Sequence, residues 1–185
     1  IGRRRCRVGA PPATAAAVRG GLRAASRMAA LFGDTARARA WLAASDLIGR
    51  AVARVLYDPE RGRFLRSLEL ESSERRLDPV LDASLLWLGL FDELEPEDPR
   101  VQATTHAVRQ GLWVRSGVAG LARNEAEAAG AATDRERATG RPSVAPTLWL
   151  AQHRIRAAKR PRDLEEARIL LLWATARAEG TGLIP

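Results

Sequence analysis

The chain is poor in the residues that most often carry chemistry or cross-links. Cys6 is the only cysteine, so no disulfide can form within the chain and no cysteine-based zinc site can assemble. His106 and His153 are the only histidines, and no metal site is expected. The same scarcity argues against a Ser-His-Asp arrangement, and Ser67, Ser84 and Ser116 lie in no nucleophile-elbow motif. Both histidines are expected in packing or surface positions. No GxxxxGK loop is present, Gly117, Gly120 and Gly130 form no phosphate fingerprint, and no cofactor is expected. No apolar run approaches the roughly 18 residues that a membrane helix needs, so no membrane partner is expected. The first residues are basic but have no apolar stretch behind them, unlike a signal peptide. Localisation stays open on these grounds, with the cytoplasm favoured.

Lysine is almost missing. Lys159 is the only one, so the net charge of +8 is carried almost wholly by arginine. A basic chain raises nucleic acid as a partner. Here, however, the arginines are dispersed among acids, as in Asp58-Pro59-Glu60-Arg61 and from Glu95 to Arg100, which is the pattern of a solvated surface. Nucleic acid is therefore not the expected partner. The exception is the cluster Arg3-Arg4-Arg5-Cys6-Arg7. It keeps an arginine-rich nucleic-acid-binding module open as an alternative, beside a non-catalytic helical interaction scaffold.

What the chain does have is helix. Hydrophobic residues make up 46% of 185 positions, enough for the core of one domain or a large piece of one. A start at Ile1 and a close on Gly182-Leu183-Ile184-Pro185 lead to the expectation of a piece. Pro11-Pro12 opens an alanine-rich helix to about Leu31, with Val18, Leu22, Ala25, Met28 and Leu31 expected inward. Gly33-Asp34 breaks it, and Asp34 or Thr35 caps a second helix to about Leu56, with Trp41, Leu47, Ile48, Val52 and Val55 inward. Asp58 to Gly62 is a turn, and Phe64 to Leu68 is extended. Val80 to Phe91 is apolar on nearly every face, which predicts a buried helix. Asp98 and Pro99 are N-cap and first residue of a fourth helix to about Leu112. Ser116 to Pro142 is too long and polar for an ordinary connector. Helices at about Pro146 to Lys159 and Pro161 to Ala178 complete the pattern. No convincing sheet is expected.

Two polar residues stand out. Asp82 heads the apolar third helix, where a buried carboxylate must bind helix-start amides, an arginine or a ligand. Arg123 follows the small-residue run Gly117 to Ala122, where a planar guanidinium suits sugar hydroxyls or a carboxylate. Five tryptophans (41, 87, 113, 149 and 173) are many for so few aromatics, and core packing is the expected role of each.

The order of several segments is specific. Tyr57-Asp58-Pro59-Glu60-Arg61-Gly62-Arg63-Phe64 is followed by Leu81-Asp82-Ala83-Ser84-Leu85-Leu86, then Asp98 to Thr104, then Gly117-Val118-Ala119-Gly120-Leu121-Ala122-Arg123-Asn124-Glu125. Gly140-Arg141-Pro142-Ser143, Thr147 to Ala151 and Thr181 to Pro185 complete the set. From about Leu22 onward this collinear set resembles glycoside hydrolase family 15, the glucoamylase-like enzymes. The resemblance implies an all-α fold, a partial (α/α)6 barrel of six-hairpin type, with residues 20–185 the C-terminal portion of the catalytic domain and residues 1–19 unassigned. It implies an inverting hydrolase of α-glucosidic bonds, of glucan 1,4-α-glucosidase or trehalase type, with an oligosaccharide or disaccharide as partner. Such chemistry needs an acid and a base roughly 6.5–9.5 Å apart, with water between. Neither is expected within these residues, so the catalytic set here is empty and the fragment is expected to be inactive. The family's sugar-binding arginine matches Arg123, and its acidic partner best matches Glu127. Asn124 and Ser143 stand where the family has tyrosine and tryptophan.

Overall fold

The computed structural model describes residues 8–71, 74–91, 97–115, 119–129 and 142–178. The basic cluster around Cys6, and the expectations for Ser116 to Val118, Gly130 to Arg141 and Thr181 to Pro185, lie outside these residues. Strand β1 (Val8–Ala10) leads into α1 (Pro12–Leu31), which pairs with α2 (Thr35–Val55). Gly33, at φ 79°, makes the turn, and the Asp34 carboxylate accepts the Arg37 N–H at 3.0 Å to cap α2.

The pairing of α1 with α2 corrects the expected faces. The helices meet through small residues: Ala16, Ser26 and Ala29 on one side, Ala38, Ser45 and Gly49 on the other are buried. The Ser26 hydroxyl donates to the Ala38 carbonyl at 2.7 Å, and that of Ser45 to the Arg19 carbonyl at 3.3 Å. Small side chains let the backbones approach this closely. Val18, Met28, Leu31 and Leu47 consequently face outward, with Leu31 at 81% exposure. Val52 is buried as expected, with Ile48 and Val55 packed beside it.

A sheet exists after all. Strands β4 (Ser67–Glu71) and β5 (Glu74–Asp78) form an antiparallel pair with Ser67 opposite Asp78, and β1 adds to the other edge of β4, Gly9 opposite Glu69. Before it, β2 (Tyr57–Asp58) and β3 (Arg63–Phe64) form a small hairpin whose turn holds Gly62 at φ 62°. The Asp58 carboxylate accepts the Glu60 and Arg61 N–H groups within it. The sheet escapes sequence reading because β5 is Glu-Arg-Arg-Leu-Asp, with no β-branched or aromatic residue. The Arg66–Asp78 ion pair closes its far end.

The buried apolar helix expected over 80–91 is shorter than its sequence suggests. A 3-10 turn (Ala83–Leu86) runs into a single turn of helix, α3 (Trp87–Leu90). Residues 81–83 are instead spent on extended pairing: Ala83 N–H donates to the Arg123 carbonyl at 2.8 Å, and Glu125 N–H to the Leu81 carbonyl at 3.2 Å. Burial is as expected, with Leu85, Leu86 and Leu88 in the core beside Phe64, Leu112 and Leu150. Helix α4 (Pro99–Leu112) starts at the Asp98 cap, whose carboxylate accepts the Arg100 N–H at 2.8 Å. Two guanidinium hydrogen bonds from Arg100 hold the Asp98 carboxyl below the usual carboxylate range. Strands β6 (Trp113–Val114) and β7 (Gly120–Leu121), the short α5 (Glu125–Ala129), α6 (Val144–Ala157), a second 3-10 turn (Pro161–Leu164) and α7 (Glu165–Thr175) follow. Glu166 joins three helices, accepting from Arg109 of α4 at 2.7 Å and lying 2.9 Å from Arg154 of α6.

Candidate functional site

The segment from Gly120 to Glu125 is held on every side. β7 pairs with β6, and Ala122 N–H donates to the Leu112 carbonyl at 2.9 Å. Leu121 N–H donates to the Thr147 hydroxyl at 2.9 Å, and Ser143 N–H returns to the Leu121 carbonyl at 2.8 Å. Residues 81–83 pair with 123–125, with Asp82 opposite Asn124. Asp82 itself caps the 3-10 turn, its carboxylate accepting the Ser84 N–H at 2.9 Å, so its role is structural. That turn fixes the backbone from which Arg123 projects.

Arg123 and Glu127, the two residues singled out from sequence, come together. The guanidinium lies 3.9 Å from the Glu127 carboxylate, which also accepts the Arg123 N–H at 3.2 Å. The Asn124 side chain caps α5 by accepting the Glu127 N–H at 3.1 Å. The Arg123 side chain is 64% exposed, which leaves most of its donors open to solvent or a ligand. Both residues line a cleft of about 540 Å³ with Pro142, Ser143, Val144, Trp173 and Arg177. The cleft lies at the N-terminus of α6 and the C-terminal end of α7. Such a cleft can grip a small polyhydroxylated or anionic molecule through guanidinium donors and a carboxylate acceptor.

A solved structure has the same fold. It is that of a bacterial glucoamylase complexed with acarbose, matched with a TM-score of 0.71 and 18% sequence identity, over 94% of this chain and 28% of that one. The chain is a partial (α/α)6 barrel. It spans a little over a quarter of the length of the glucoamylase chain. No protein family's sequence profile matches the chain, and no curated protein matches it. The fold is thus that of a glucoamylase-like six-hairpin glycosidase, mostly helical as the sequence implies, with the small sheet as an addition.

Trp173 and Arg177 of the cleft were not singled out as a pair. The Arg177 guanidinium lies 3.5 Å from the Trp173 ring centroid and donates to the Trp173 carbonyl. The ring edge rests over Gly120, where a Cβ would collide with it and with Pro142. The legible signal is the i, i+4 spacing of an aromatic and an arginine, with Arg177 two residues past the end of α7. A second cleft, of about 440 Å³, lies along the C-terminal half of α6, against Trp87, Phe91, Trp149 and Arg156. Its tryptophans pack edge to face with centroids 5.2 Å apart. Among the described residues its lining has no carboxylate and one guanidinium. His106 is exposed, while His153 is buried at 2% exposure, its Nε2 3.1 Å from the Thr105 hydroxyl. Burial, with Arg154 and Arg156 nearby, pushes its pKa down to about 4. It packs under Gly89 and lines neither cleft.

Proposed function

We propose that the chain contributes part of the sugar-binding wall of a family 15 glycoside hydrolase, an inverting enzyme of α-glucosidic bonds of glucoamylase or trehalase type. Residues 20–185 then form the C-terminal portion of its catalytic domain. The observation that carries this is the meeting of Arg123 and Glu127 at one cleft, in a chain whose fold is that of a glucoamylase. The structural neighbour was solved with acarbose, an oligosaccharide ligand, which supports a saccharide as the partner here. In this reading Arg123 donates to sugar hydroxyls, Glu127 accepts from them, and the acid and base belong to other parts of the barrel. Calorimetric titration with maltose and trehalose checks it. Binding is expected, and Arg123→Ala should weaken it about tenfold, the loss of one charge-assisted contact. No glucose should be released by residues 1–185 alone. Glucose release above a control preparation would show that the acid and base lie within the chain.

A helical interaction scaffold is the second reading, supported by apolar side chains left facing outward on α1, α2 and α7, among them Phe32, Leu42, Ile169 and Leu172. Nucleic-acid binding draws less support, because arginines in the described residues sit against carboxylates, as in Arg66–Asp78, Arg109–Glu166 and Arg168–Glu165. Among those residues no helix is long and apolar enough to cross a membrane.

A further inference from the structure

We propose that the 540 Å³ cleft selects a saccharide bearing a negative charge, a carboxylate or a phosphate, over a neutral one. The inference rests on reading the cleft as a saccharide site and alters only the charge of the sugar. Three observations carry it. First, the usual way to grip a neutral pyranose is to stack its apolar face on an aromatic ring, and the ring available here is already engaged. Trp173 is the one indole that lines the cleft among the described residues, and the Arg177 guanidinium covers a face of that ring at 3.5 Å while its edge lies against Gly120. Asn124 and Ser143 bring no ring either.

Second, the charges do not cancel among the described residues. There, two guanidiniums, Arg123 and Arg177, line the cleft against one carboxylate, that of Glu127. Glu127 is paired with Arg123, and no carboxylate pairs with Arg177 among the described residues. Third, Arg177 is held in place. Stacking on Trp173 and donation from Nη1 to the Trp173 carbonyl fix the guanidinium plane, leaving further N–H donors in a set geometry. An immobilised guanidinium at the wall of a cleft, with no carboxylate partner among the described residues, suits an anionic group, because charge-assisted hydrogen bonds are the strong ones and the ordering has already been met by the fold.

The test is titration of the 185-residue chain with glucose, glucuronate, glucose 6-phosphate and inorganic phosphate at low salt. One or both anionic sugars should bind about tenfold tighter than glucose. They should also bind tighter than inorganic phosphate, and the preference should shrink as salt is raised. Arg177→Gln should bring the anionic sugars down to the level of glucose, while Arg177→Lys, which keeps the charge but loses the stacked plane, should fall between. Circular dichroism of each variant confirms that it is folded. Equal binding of glucose and the anionic sugars overturns the inference and leaves the saccharide reading standing. Equal binding of inorganic phosphate and glucose 6-phosphate means a simple anion site and also overturns it. Binding of no sugar at all removes both readings.

Discussion

Thr147 and Thr104 use the same device at two places. Each hydroxyl donates to the carbonyl four residues back in its own helix, Ser143 at 2.8 Å and Arg100 at 2.7 Å. Each also accepts a strand N–H, from Leu121 at 2.9 Å and Phe64 at 3.1 Å. A helix side chain thereby replaces a missing strand neighbour. Thr147→Val keeps the shape and leaves the buried Leu121 N–H without its acceptor, so a loss of about 1–3 kcal/mol is expected in urea unfolding. Thr147→Ser should recover most of it. A loss below about 0.5 kcal/mol, the range of ordinary surface changes, would count against the role. His153 gives the second expectation at this scale. Its pKa stands at about 4 in the fold against the ordinary 6.5. Between those values the unfolded chain binds a proton that the folded chain does not, so stability is full above 6.5 and falls as pH drops toward 4. The whole window is worth up to about 3 kcal/mol. Unfolding of the native chain and of His153→Gln, compared at about pH 7 and about pH 4.5, should show a smaller pH loss in the variant. Equal losses would place the effect elsewhere.

At the scale of elements, the closest fit is between β7 and α7. Gly120 lets the Trp173 ring lie against the strand, with Pro142 beside it. Gly120→Ala forces the ring aside, which should cost about 1–3 kcal/mol by overpacking and shift tryptophan emission toward that of a wetter indole. An unchanged spectrum and midpoint would mean that the ring does not sit there. Helix ends were the most legible part of the sequence. Asp34, Asp98 and the prolines at 12 and 99 mark starts through local hydrogen bonding and fixed φ, and the structure begins its helices beside them. Strands were the least legible. β1 and β4 are joined across the whole α1–α2 hairpin, and no local pattern announces such a partner. The short α3 has the same cause, since residues 81–83 take their hydrogen bonds from a segment about 40 residues downstream.

At the scale of the whole molecule, the outward apolar residues set the behaviour. Leu31 and Phe32 are each 81% exposed at the end of α1, and Ile169 and Leu172 are exposed on α7. Exposed apolar surface of this kind drives association. The chain is expected to self-associate in sedimentation velocity, and Leu31→Glu with Phe32→Glu should shift it toward monomer. A clean monomer without these changes would remove the expectation. The site divides in the same way between sequence and fold. The sequence alone determined that the chain is largely helical and where most helices begin, because caps and proline act over a few residues, and the order of its segments pointed to Arg123 and Glu127. Which helical faces turn inward was decided only by the tertiary structure. Small residues let α1 and α2 approach, and that approach outweighed the burial of Val18, Met28 and Leu31. The cleft was decided there too. Arg177 and Trp173 reach Arg123 only because β7, α6 and α7 converge, and contacts between residues some 50 positions apart leave no trace in local sequence.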